Sequence, residues 1–159
     1  MEFINSHEEV RIGAHLVTNL TKISEGGFGL IFSANDKHTQ QQYVVKKCSV
    51  NRQETFDVVK KEVMVLDKFK DCPYVVTMLG SNVSGGPDAV AYILLEMCPG
   101  GHMLDRINQL DQTGQVLEPQ KMCTIFGQIL SAIKVMHETR PRAFVRDNYA
   151  RDGYVYVYV

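Results

Sequence analysis

The hydrophobic period of this chain changes along its length, and those changes set the order of its elements. Strand-like runs come first: His15-Leu16-Val17 leading into Leu20-Thr21-Lys22-Ile23, then Leu30-Ile31-Phe32-Ser33-Ala34, then Gln42-Tyr43-Val44-Val45-Lys46-Lys47-Cys48. The first two flank Ser24-Glu25-Gly26-Gly27-Phe28-Gly29, which predicts a β-hairpin with a glycine-rich tip. Asn35-Asp36-Lys37 supplies turn chemistry before the third run. From Glu54 to Phe69 the period becomes helical, with Phe56, Val59, Val63 and Leu66 along one face. Cys72-Pro73 stops that helix. Tyr74 to Leu79 and Ala89 to Glu96 return to strand, turned through Ser84-Gly85-Gly86-Pro87. After Pro99-Gly100-Gly101 a short helix is predicted from Met103 to Leu110, and a long one from Glu118 to His137. Met122, Ile125, Phe126, Ile129, Leu130, Ile133 and Met136 give the long helix one broad apolar face, and Pro119 suits its first turn.

Composition removes several classes. With 45% hydrophobic and 22% charged residues, the 159-residue chain is globular rather than disordered, collagen-like or coiled-coil. Lys and Arg number 17 against 18 Asp and Glu, so no basic excess points to nucleic acid or an anionic membrane. Arg140, Arg142, Arg146 and Arg151 read as solvated surface charge. No apolar run approaches the ~18 to 20 residues of a membrane span, and Met1-Glu2-Phe3-Ile4-Asn5 has no secretory pattern. Cys48, Cys72, Cys98 and Cys123 are far apart with no CxxC pair, so neither a zinc site nor a disulfide framework is expected, and the reducing cytoplasm is the expected compartment.

Four features can carry chemistry, each with a plainer reading beside it. Gly26, Gly27 and Gly29 would let backbone N–H groups approach a phosphate, or simply form a hairpin tip. Lys46 and Lys47 must face opposite sides of a regular strand. A lysine on the buried side needs an anionic partner, and Glu62 on the following helix is the natural candidate; both residues could equally be solvated. Leu95-Glu96-Met97-Cys98-Pro99-Gly100-Gly101 is either a linker or a hinge.

Taken together and in this order, the glycine loop, the lysine ending the third strand, the helix glutamate and the hinge resemble the small lobe of the eukaryotic protein kinase domain. Ser-Glu-Gly-Gly-Phe-Gly, Lys-Lys-Glu-Val and Leu-Glu-Met-Cys-Pro-Gly-Gly are similar to the Numb-associated kinases, a family of serine/threonine kinases. The resemblance covers His15 to His137. It implies an α+β fold: a five-stranded antiparallel sheet with one helix of the αC type, followed by the first helices of an incomplete helical lobe. It also implies ATP as ligand, with Mg²⁺, and transfer of a phosphoryl group to protein hydroxyls. Ser24 would replace the first loop glycine, and Gly26 and Gly29 would match the second and third, with Gly27 between them. Phe28 would cap the phosphates, and Ile31 and Val44 would line the adenine site. Lys46 would hold the α- and β-phosphates and Glu62 would fix Lys46. Leu95 would be the gatekeeper, and the Glu96 carbonyl and the Cys98 backbone would bond adenine.

Beyond the long helix the likeness breaks. Arg146 and Asp147 stand where the family's Arg-Asp pair falls, which would make Asp147 the catalytic base, but Val145 replaces the histidine, Tyr149 the lysine and Asp152 the metal-binding asparagine. No Asp-Phe-Gly follows, so the metal ligands are largely missing and the chain is expected to be inactive. Three explanations stand: a truncated gene model or splice product with a frame change near Phe144, a pseudokinase fragment, or a shortened enzyme; the first is preferred. The expected organisation is a lead over 1–14, a small lobe over 15–98, hinge exit and helices over 99–138, and a divergent tail over 139–159. The competing functional class is a nucleotide-binding scaffold that presents its small lobe to protein partners. An apolar face on the long helix with few partners predicts a marginal or self-associating chain.

Overall fold

The computed structural model describes residues 9–26, 29–84, 86, 89–100 and 103–139. Among the described residues six strands form one sheet: β1 (Val10–Ile12), β2 (His15–Gly26), β3 (Gly29–Asp36), β4 (Gln42–Ser49), β5 (Met78–Asn82) and β6 (Val90–Glu96). The helices among the described residues are α1 (Gln53–Lys68), α2 (Met103–Gln112) and α3 (Pro119–Glu138). The strand order is β1-β2-β3-β4-β6-β5, with every neighbouring pair antiparallel. The fold class is α+β, as expected, with a protein-kinase-like small lobe.

The expected count of five strands is corrected to six. The added strand is β1, three residues long and lying in the expected lead, too short to declare a period of two. It pairs through Val10↔Val17 and Ile12↔His15. Gly13 takes φ +59 at the first central position of that hairpin, a left-handed conformation that costs glycine little.

A second correction concerns β5. The strand expected from Tyr74 to Leu79 begins instead at Met78 and runs to Asn82. Val75 and Val76 are buried, but they group with the second of two compact units rather than with the sheet. β5 is the last strand in the sheet order, and an edge tolerates Gly80 and the polar Ser81 and Asn82. Gly80 has a further reason: a Cβ there would stand 3.2 Å from the Ile12 carbonyl oxygen. The sheet is thus curled until β1 and β5, at opposite ends of its order, nearly touch.

Alternation divides the sheet into two faces. One face packs the core cluster of Val10, Ile12, Val17, Phe32, Ala34, Tyr43, Val45 and Leu94. Burying each large apolar side chain contributes about 1.5–3 kcal/mol. The other face carries Ile31, Val44, Lys46 and Leu95. Helix α1 buries Val59, Glu62 and Leu66, a stripe with one carboxylate in it. Glu54 in its first turn and Lys68 in its last complement the helix dipole.

The chain divides into two compact units. The first comprises the described residues through Lys68 together with Thr77–Met97. The second comprises Phe69–Val76 and the described residues from Cys98 onward. Within the second, α2 closes on Gly114, whose φ of +65 allows Gln115 N–H to donate to the Leu110 carbonyl and Gly114 N–H to the Asp111 carbonyl. Helix α3 starts on Pro119 and buries Ala132 and Met136. Among the described residues no helix is long and apolar enough to cross a membrane.

Candidate functional site

Strand register brings the predicted site residues of the first unit onto one face. Ile31 pairs with Ser24 on one side and with Lys46 on the other, and Lys46 pairs with Ile93. Directly opposed residues point to the same side of a sheet, so Ser24, Ile31, Lys46 and Ile93 form one cross-strand row. The adjacent row holds Ser33, Val44 and Leu95. Ile31 and Val44 are half-buried and Leu95 is buried. Sequence reasoning missed Ile93 and Cys48 on this face; counting by twos from Leu95 and Lys46 finds both.

Lys46 is the buried lysine of the adjacent pair, and Lys47 faces the other way, its ammonium 5.9 Å from the centre of the Tyr92 ring. Glu62 meets Lys46 with both carboxylate oxygens: Nζ donates to Oε1 at 2.7 Å and to Oε2 at 2.8 Å. The two side chains are 6% and 12% exposed, so the pair is shielded from water. A buried ammonium without such a partner would cost several kcal/mol. The carboxylate holds the ammonium against the sheet face, between the flap strands β2–β3 and the last strand β6.

The glycine flap is shaped by steric need. Gly26 pairs with Gly29 at the mouth of the hairpin. A Cβ on Gly29 would collide with the Lys47 carbonyl oxygen and stand 3.1 Å from Cys48 Sγ. Only glycine lets β3 come this close to β4. Burial pushes the Cys48 thiol up to about 11; the Lys46 ammonium opposes that shift and the Glu62 carboxylate adds to it. Cys48 is therefore an inert packing residue.

At its far end the sheet face runs out at Glu96, the last residue of β6. Glu96 N–H donates to the Thr77 carbonyl at 3.0 Å. Cys98 is half-buried and falls in the second unit. Gly27, Phe28 and Asp147 lie outside the described residues. Among the described residues no three His, Cys, Asp or Glu side chains gather as metal ligands. A nucleotide fits better: a buried ammonium for phosphate oxygens, a glycine flap, and branched apolar side chains in adjacent rows for a flat base.

The sequence comparisons agree with this geometry. A sequence model of the protein kinase domain matches residues 17–147. A probable serine/threonine-protein kinase of Dictyostelium discoideum is 26% identical over 144 residues, covering 90% of this chain and 13% of the relative. Serine/threonine-protein kinase PAK 5 of Rattus norvegicus is 26% identical over 142 residues, 83% of this chain and 18% of its own length. Serine/threonine-protein kinase Nek5 of Mus musculus is 29% identical over 118 residues, 74% of this chain and 18% of its own length. The chain thus spans less than a fifth of the length of each of these relatives. With a match running through the flap, the lysine strand, the glutamate helix and the last strand of the sheet, this chain belongs to the protein kinase domain family.

Proposed function

We propose that this chain is the nucleotide-binding portion of a serine/threonine protein kinase, and that it binds ATP on the sheet face described above. The observation that carries the reading is the shielded two-oxygen contact of Glu62 with Lys46, on the face that also bears Ile31, Val44 and Leu95. In this reading Lys46 holds the α- and β-phosphates and Glu62 holds Lys46. Ser24, Gly26, Gly27, Phe28 and Gly29 cover the phosphates, and Leu95 limits the depth of the base site. The Glu96 carbonyl and the Cys98 backbone bond adenine. Transfer of the γ-phosphoryl from Mg-ATP to a protein hydroxyl is the activity proposed for the whole protein. ATP supplies the transferred group, and this chain's residues bind and orient it. The Numb-associated placement rests on Ser24-Glu25-Gly26-Gly27-Phe28-Gly29 and on Leu95-Glu96-Met97-Cys98-Pro99-Gly100-Gly101. A cytoplasmic location is consistent with four cysteines of which none forms a disulfide.

Residues 145–152 favour a second reading. Val145 and Asp152 replace the family's histidine and asparagine, which supports a chain that binds nucleotide without transferring phosphate and serves as a scaffold for protein partners.

Thermal melting with millimolar ATP, with and without Mg²⁺, tests the binding claim. At an ATP concentration about a hundredfold above Kd, the stabilisation should reach about 2.7 kcal/mol, and Lys46→Met should abolish it. A melting curve unmoved by ATP would overturn the nucleotide reading. Radiolabel transfer to a mixed protein substrate, lost in Lys46→Met, would decide for the first reading over the second.

A further inference from the structure

In an antiparallel ladder, a hydrogen-bonded pair exchanges two N–H···O=C bonds. Glu96, the last residue of β6, and Thr77, just before the start of β5, make the exchange differently. Glu96 N–H donates to the Thr77 carbonyl at 3.0 Å. The return bond goes to a side chain: Thr77 N–H donates to Glu96 Oε1 at 2.6 Å. Both partners belong to the first unit, and 19 residues of sequence separate them. A charged acceptor makes this bond short and strong compared with a neutral one.

By alternation along β6, the Glu96 side chain leaves the sheet on the side opposite Leu95 and Lys46. It therefore stands away from any ligand on the site face and can act on one only through its own backbone. Pro99, three residues on, has no N–H with which to extend a ladder. We infer that the Glu96 carboxylate is a positioning residue: by clamping Thr77 N–H it fixes the peptide whose carbonyl oxygen accepts from the exocyclic amino group of a 6-aminopurine. This rests on the nucleotide reading above. It adds that base affinity, unlike phosphate affinity, depends on a carboxylate that touches no ligand.

The test is calorimetric titration of the full 159-residue chain and its Glu96 variants with ATP and, separately, with inorganic tripolyphosphate. Glu96→Ala should weaken ATP about tenfold while tripolyphosphate stays within about twofold of the wild type. Glu96→Gln keeps an acceptor at the same reach and should restore ATP affinity to within about threefold. Glu96→Asp keeps the charge but falls one methylene short, and should behave as Glu96→Ala does. Hydrogen exchange at the Thr77 amide should quicken in the Ala and Asp variants and not in Gln, with the β4 amides still protected. Should Glu96→Ala fail to fold, the contrast between Gln and Asp carries the test. The inference is overturned if Glu96→Ala binds ATP as the wild type does, if it loses ATP and tripolyphosphate together, or if Gln is as weak as Asp. A wild-type chain that binds neither ligand would instead overturn the nucleotide reading, and the inference with it.

Discussion

A lysine and a glutamate placed 16 residues apart define the centre of the candidate site. Two neighbouring lysines on a strand force one of them inward, and an inward ammonium requires an anion. Glu62 was legible as the carboxylate on the helix that follows the lysine strand; that it lies in the buried stripe with Val59 and Leu66 emerged only from the structure. The pair's worth lies in mutual compensation rather than in net stability. Glu62→Leu leaves the Lys46 ammonium buried against hydrocarbon and should cost about 3–5 kcal/mol. Lys46→Met combined with Glu62→Leu replaces the pair by apolar side chains and should recover most of that loss. Urea unfolding of the wild type, the single variant and the double variant measures both numbers. A double variant no more stable than the single one would show that Lys46 is not confined by its surroundings. The Glu96 clamp on Thr77 was invisible in the sequence, since it joins two residues that no local pattern relates. The role of Gly29 was only half visible: a glycine cluster announces a flap, while the collision of a Cβ with the Lys47 carbonyl depends on how closely β3 and β4 approach.

Among the elements, turns that carry their own chemistry are the most legible. Asn35-Asp36-Lys37 reads as a turn, and the structure shows why the aspartate sits there. Asp36 Oδ1 accepts from the backbone N–H groups of Thr39 and His38, at 2.9 Å each, and Oδ2 lies 3.3 Å from His15 Nδ1. The Thr39 and His38 bonds are the main cause that draws the carboxyl down from its ordinary 3.8 to about 2. A carboxylate with a depressed folded pKa adds stability above the unfolded value. That stability should therefore be present above about pH 4 and drain away as the pH falls toward 2. Asp36→Asn should melt lower than the wild type at pH 7 and show a shallower decline between pH 4 and pH 2. Melting curves across that range check it, and parallel declines would remove Asp36 from the acid response. Short or edge strands are the least legible elements. β1 has too few residues to show alternation. β5 runs on through Gly80, Ser81 and Asn82, which carry no strand signal of their own and are held by the nearby Ile12 backbone and the β6 ladder. The helices were legible to within a few residues, because an apolar stripe at helical spacing does not depend on what lies across from it.

For the molecule as a whole, charge and exposed apolar surface act in the same direction. The net charge is −1 and the isoelectric point is near 6.5, so little repulsion keeps copies apart around that pH. Helix α3 carries Met122, Phe126 and Leu130 one turn apart, exposed by 54%, 60% and 50%. The sequence announced one broad apolar face there, and the structure buries only its Ala132 and Met136 side. Periodicity shows that a face is apolar but not how much of it is covered, which is why this could not be read in advance. Apolar side chains of this size, aligned in a stripe and facing water, drive association when charge does not oppose it. At pH 5, below the isoelectric point, the net charge turns positive, restoring repulsion. Light scattering after size exclusion, at micromolar concentrations, should therefore show a mass above 18.0 kDa that grows with concentration at pH 6.5 and falls back at pH 5. The triple variant Met122→Gln, Phe126→Gln, Leu130→Gln should hold the monomer mass at both pH values. Its melting temperature should stay close to that of the wild type, because the three side chains give up little burial. A concentration-independent mass of 18.0 kDa for the wild type at pH 6.5 would refute this account. A triple variant that melts much lower would mean that the stripe supports the fold rather than facing water.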